Sequence, residues 1–218
     1  MTGKFMKTVL IVMCLAMLGS PLAVQAKEGS GDPPQQQQGI KPKEVKLQGD
    51  MRRAWIDHII WTRAYVVSAL AGLKDQDKVL ARLLKNQEDI GNVIKPYYGE
   101  EAGNKLTTLL KEHIRIAGKI VDATKKNKQA DLKKYNAEWY KNADEIAKFL
   151  SSANPNWTEQ ELKDLLYKRL ELLTEMIQAR VKKDWDADIA AFDKGEDHII
   201  TLADALTEGI IRQFPNQF

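Results

Sequence analysis

The stretch KLTTLLKEHIRIAGKIV, Lys105 to Val121, decides how the rest of the chain is read. Leu106, Leu109, Leu110, Ile114, Ala117, Ile120 and Val121 recur at three- and four-residue intervals. That is the interval at which side chains return to one face of a helix, whereas a strand would alternate at every second residue. His113 falls among these apolar positions, so the segment predicts an amphipathic helix that carries a titratable group towards the inside.

The same grammar runs through most of the chain. Between Met51 and Phe214 there are only two prolines, Pro96 and Pro155, and helix-favouring Ala, Leu, Lys, Glu and Gln dominate. Helices are predicted over 51–72, 77–94 (stopping at Lys95-Pro96), 99–124, 130–151, 158–181 and 185–213. Trp139, Ala143, Ile146 and Leu150 form the stripe of the fourth segment, and Leu162, Leu166, Leu170, Leu173 and Ile177 that of the fifth. Thr158 with Glu161 three residues later is a capping box, in which hydroxyl and carboxylate each satisfy an orphan backbone N–H. Long helices with short connections bury such stripes best as an antiparallel bundle. The expected fold is all-α: a four-helix-bundle core, with 77–94 as an extra helix or the bent half of the next one.

The ends narrow the setting. Lys4 and Lys7, the apolar run Thr8 to Leu18 and the small-x-small Val24-Gln25-Ala26 read as a signal peptide cleaved after Ala26, too short to persist as a membrane span. Residues 27–50, with four consecutive glutamines at 35–38 and a scatter of Gly and Pro, read as a disordered linker before a helical domain at 51–218. Cleavage would remove two of the 33 Lys and Arg and none of the 30 acids, leaving +1 in place of +3, and would remove the only cysteine. Such a chain is neither a basic nucleic-acid binder nor a thiol protein. The expected location is secreted or extracytoplasmic.

Function is sought where polar residues interrupt apolar stripes. All three histidines follow an acid, as Asp57-His58, Glu112-His113 and Asp197-His198, and each lies on or beside a stripe. Arg169 is in register with Leu162, Leu165, Leu166 and Leu173; Asn142 is in register with Trp139 and Ile146, with Glu145 on the next turn. In one reading, His58, His113 and His198 converge from separate helices on a transition-metal ion, imidazole nitrogen being the commonest protein metal ligand. Arg169, Asn142 and Glu145 would then support the site or hold a small ligand. In the other reading these are buried polar groups satisfied by neighbours such as Glu145 or Asp204, and the protein is a structural or interaction module of the cell envelope. An enzyme using the histidines as general acids and bases is the weakest option, and no catalytic residues are assigned.

Several motifs are absent. The residues three before the histidines are Trp55, Leu110 and Gly195, so the Glu-x-x-His ligand pair of di-iron bundles does not occur. There is no phosphate loop, dinucleotide Gly motif, His-Glu-x-x-His or Gly-x-Ser-x-Gly. Trp55, Trp61, Tyr65, Trp139 and Trp185 are expected to pack the core.

Four separated stretches act as signatures: WIDHIIWTR at 55–63, KPYYG at 95–99 followed by EHI at 112–114, WYKNADEIA at 139–147 and DALTEGIIRQFP at 204–215. Together they resemble an uncharacterised family of secreted or envelope-associated bacterial helical proteins. The resemblance spans about Ala54 to Phe214. It implies a ferritin-like helical bundle with no established activity, and a histidine in relatives where Arg169 stands here. One histidine on each of four helices would suit a ligand site; an arginine repels a cation and suits an anionic group instead.

Overall fold

The computed structural model describes residues 41–218. They form five α-helices, α1 (Pro42–Ala71), α2 (Gln76–Lys125), α3 (Gln129–Ala153), α4 (Glu159–Val181) and α5 (Trp185–Gln213), and end in a 3-10 turn, Pro215–Gln217. No strand occurs among the described residues, and none of these helices is long and apolar enough to cross a membrane. The signal-peptide reading of 1–26 and the linker reading of 27–40 lie outside the described residues.

Each helix packs on the next, and α5 returns to α1, closing the bundle. Cross-helix bonds show that neighbours run antiparallel. Arg52 reaches Asp204 and Arg63 reaches Asp188 between α1 and α5. His113 and Lys119 of α2 meet Asn142 and Glu138 of α3. The apolar stripes merge into one core to which all five helices contribute, with Met51, Ile90, Leu106, Trp139, Leu170 and Ile199 fully enclosed. The bundle inferred from periodicity is therefore the fold.

Two boundaries differ from the sequence reading. The helix expected to begin at Met51 begins at Pro42, so 42–50 is not part of a linker. Pro42 at the first helical position needs no hydrogen-bond donor, Glu44 sits favourably in the first turn, and Leu47 lies buried one turn before Met51. Gln48 and Arg52 add bonds to Asp204 of α5. Tertiary packing thus recruits a segment whose composition is mostly polar.

The second difference is where 77–94 ends: it is the bent half of the next segment, as one alternative expected, and the two form arms of α2, but the first arm runs past Lys95-Pro96 to Gly99. Pro96 lies inside the helix, and the chain breaks at Gly99, whose φ of 83° and ψ of 169° are open to glycine but strained for other residues. The arms then fold back on one another: the Thr107 hydroxyl, which donates to the Gly103 carbonyl at 2.9 Å, lies 3.4 Å from the Gln87 carbonyl oxygen, and Lys111 pairs with Glu88 at 2.6 Å. Gly91 and Gly103 make this crossing possible, since a Cβ on Gly91 would stand 2.6 Å from the Gly103 carbonyl oxygen. Elsewhere the expected signals hold. Thr158 and Glu161 form the capping box at α4, and Asp184 caps α5 through the Ala187 N–H.

Candidate functional site

The interior polar residues come from four helices. His58 on α1, His113 on α2, Asn142 on α3 and Arg169 on α4 are all buried, as their register predicts. His113 Nδ1–H donates to Asn142 Oδ1 at 2.7 Å, and the Asn142 amide donates to the Leu109 carbonyl. His113 therefore keeps an unprotonated Nε2. His58 Nδ1 lies 3.4 Å from the Gln87 amide nitrogen, which donates at shorter range to the Leu83 carbonyl and to Asn86 Oδ1. Each ring rests against an indole: His58 against Trp55 at 5.5 Å and His113 against Trp139 at 5.2 Å between centroids.

Both imidazoles are held neutral. Burial depresses the pKa of His113 to about 4, with the charge of Arg169 adding to the effect. Burial likewise pushes His58 well below its usual value, followed by Arg169 and then His113.

Arg169 is the anomaly. It is 6% exposed, and burial lowers its pKa to about 10, which leaves it cationic at neutral pH. Among the described residues no carboxylate pairs with it, no aromatic face stacks on it, and its Nε and Nη2 have no hydrogen-bond partner. A shift of that size corresponds to about 3 kcal/mol spent keeping the charge inside. The other orphaned buried atoms are the Trp55 and Trp139 indole N–H groups and Gln87 Oε1. Four of the five orphans are thus donors, and one is an acceptor.

A small cavity of about 10 Å³ lies beside Arg169, walled by Ile59, Thr62, Leu172, Leu173 and Phe192, with Arg63 also on its lining. Arg63 grips the buried Asp188 through both carboxylate oxygens, at 3.0 and 3.1 Å, and Arg180 binds the same carboxylate at 2.7 Å. Two guanidiniums thus share one acid at the edge of the core.

The three-histidine metal set is not assembled. His198 is only half-buried, at the border of α4 and α5, and its Nε2–H is bonded to the Leu165 carbonyl at 2.7 Å. No group of three His, Cys, Asp or Glu side chains among the described residues could hold a metal ion. A cation would also meet the charge of Arg169. Glu145 is a second correction: it is exposed, just outside the stripe that Trp139, Ala143 and Ile146 bury, and takes no part in the interior group. Asp204 serves Arg52 and no histidine.

The sequence reading missed Asn86 and Gln87, both completely buried, although Gln87 is in register with Leu83, Ile90 and Ile94. Asn86 donates to the Ala54 carbonyl of α1 at 2.9 Å, tying the first arm of α2 to its neighbour. It also overestimated one aromatic: Trp185 is 52% exposed beneath Arg180, whereas Trp61 is half-buried and packs against the core beside Arg82. Comparison with known proteins finds no matching family model, no matching curated protein and no matching solved structure.

Proposed function

We propose that this is an exported helical-bundle binding protein whose interior holds a small anion against Arg169, with His58 and His113 as neutral neighbours. The signal-like segment at 1–26 supports export. The observation that carries the binding reading is the buried guanidinium with two orphaned donor nitrogens and no acid beside it. Native proteins compensate buried charge, because an unpaired ion loses hydration worth several kcal/mol. An anion supplies the missing charge and the missing acceptor together. The tautomer of His113 is set by the Asn142 amide oxygen, so that ring does not depend on a metal for its orientation.

Thermal unfolding of the dialysed protein in a panel of sodium salts at constant ionic strength tests this reading. At least one anion should stabilise the wild type saturably, and Arg169→Met should abolish that response. If no anion produces an Arg169-dependent rise, the binding reading is wrong.

A second reading has an observation of its own. Asn86 and Asn142 each donate to a main-chain carbonyl of the adjacent helix or arm, bonds that fix helix register whether or not a ligand is present. A structural envelope module would show loss of stability in Asn86→Ala or Asn142→Ala, but no anion response.

A further inference from the structure

We infer that the pocket at the loop end of the bundle, where α1, α2 and α4 finish and α5 begins, binds a small amphiphilic anion: one oxyanion head on a short alkyl or aromatic body. The pocket is open to solvent and holds about 320 Å³, the lower end of the range of small-molecule sites. It shares no lining residue with the cavity beside Arg169 and stands whether or not an anion binds there. Its walls are of two kinds. Leu70, Val181 and Trp185 are apolar, Lys125, Arg180 and Lys183 are cationic, and no acid lines it.

The apolar wall is left open by the packed bundle. Val181 is 46% and Trp185 52% exposed, so large apolar surface stays in water at this point. The Arg180 guanidinium lies over the Trp185 ring at 5.5 Å, which holds the indole beside the pocket. A ligand body laid on these side chains removes their surface from water, by the same force that buries the core stripes.

The cations call for a negative head. Lys125 donates to the Ala69 carbonyl at 2.6 Å and Arg180 to Asp188 at 2.7 Å, while Lys183 takes no acid partner among the described residues. Lys183 also holds an unfavourable backbone position. α1, α2 and α4 each end on a left-handed residue, and these are Gly72 (φ 67°), Asn127 (φ 52°) and Lys183 (φ 61°). Glycine and asparagine adopt that conformation readily, whereas lysine is strained there. The strained residue is the one that sets an unpartnered charge on the pocket. The occupant is small, because a membrane face or an extended polyanion would also meet Asp75, Asp77, Asp184 and Asp186, all exposed at this end.

Isothermal titration calorimetry on the full mature chain tests the site with octanoate, against acetate (the head alone) and octylammonium (the same body with opposite charge). Octanoate should bind saturably, and neither control should saturate at the same concentrations. Lys183→Asn keeps a residue suited to the left-handed turn, so it should unfold at an equal or higher temperature while binding octanoate about fivefold more weakly. Trp185→Ala should weaken binding about tenfold. Lys43→Gln, at the opposite end of α1, should change nothing. Acetate or octylammonium binding as tightly as octanoate overturns the inference, and so does octanoate binding that is unchanged in either pocket variant. An absence of saturable octanoate binding overturns it as well; co-sedimentation of that chain with phosphatidylglycerol vesicles would then mark a lipid surface as the partner instead.

Discussion

Arg169, His58 and His113 are costly residues in a helical core. Arg169 stays charged without a partner, so replacing it by methionine, of similar length and apolar, should relieve a burden of about 3 kcal/mol. Arg169→Met is therefore expected to be more stable than wild type by about 1–3 kcal/mol in buffer free of binding anions, as measured by urea unfolding. A destabilised variant would mean that the guanidinium is compensated from within the protein. The histidines predict a pH dependence. Above pH 6.5 both folded and unfolded chains carry neutral rings, and nothing is lost. Below it, the unfolded chain takes up protons that the folded chain refuses, so stability falls with decreasing pH until His113 titrates near 4. That ring contributes up to about 3 kcal/mol of the loss. Urea midpoints between pH 7 and 4 should show this slope, and His113→Leu should flatten it. The carboxylate of Glu88, held at about 2 by Lys111 and Lys85, adds its own loss only below its ordinary value of 4.5, so the two windows are separable.

Among the helices, α2 depends most on particular backbone positions. Gly91 and Gly103 let its two arms touch through their main chains, and a methyl group on Gly91 would press into the Gly103 carbonyl. Gly91→Ala should cost about 2–3 kcal/mol, because backbone has to move. Gly49, in α1, has nothing within 4 Å of the corresponding position, and Gly49→Ala should stabilise by up to about 1 kcal/mol through helix propensity and reduced unfolded-state entropy. Opposite signs in thermal unfolding would confirm that close approach governs the first site and propensity the second. Equal effects would show that the arms do not cross as described.

Across the molecule, a single core links α1 through α5, with Trp55 and Trp139 near its centre and no separate apolar cluster to unfold first among the described residues. Far-UV circular dichroism and tryptophan fluorescence should therefore report coincident unfolding transitions. A fluorescence change that precedes loss of helix would show that the polar centre opens independently. Much of this architecture is legible in the linear pattern. Leu106 to Val121 reads as a buried face, Thr158 and Glu161 mark a helix start, and His113, Asn142 and Arg169 announce themselves as polar groups on apolar stripes. Glu145 was misplaced because it lies barely one turn from Asn142, where a small rotation of α3 separates inside from outside. The start of α1 was set too late because 42–50 is mostly polar, and its helix is held by Leu47 in the core and by bonds to Asp204 of α5.

The order of residues thus settles which faces are buried and which polar side chains are carried inside, since both follow from about 100° of rotation per residue, a local property of each helix. It does not settle which of those side chains meet. That Gln87 and Asn142, and no carboxylate, approach the two rings, that His198 turns to the Leu165 carbonyl, and that Arg169 is left without an acid all depend on the axial register and rotation of one helix against another. Those quantities emerge only when every stripe is packed at once. For this chain, the packed assembly removes the three-histidine metal site and leaves an uncompensated cation in its place.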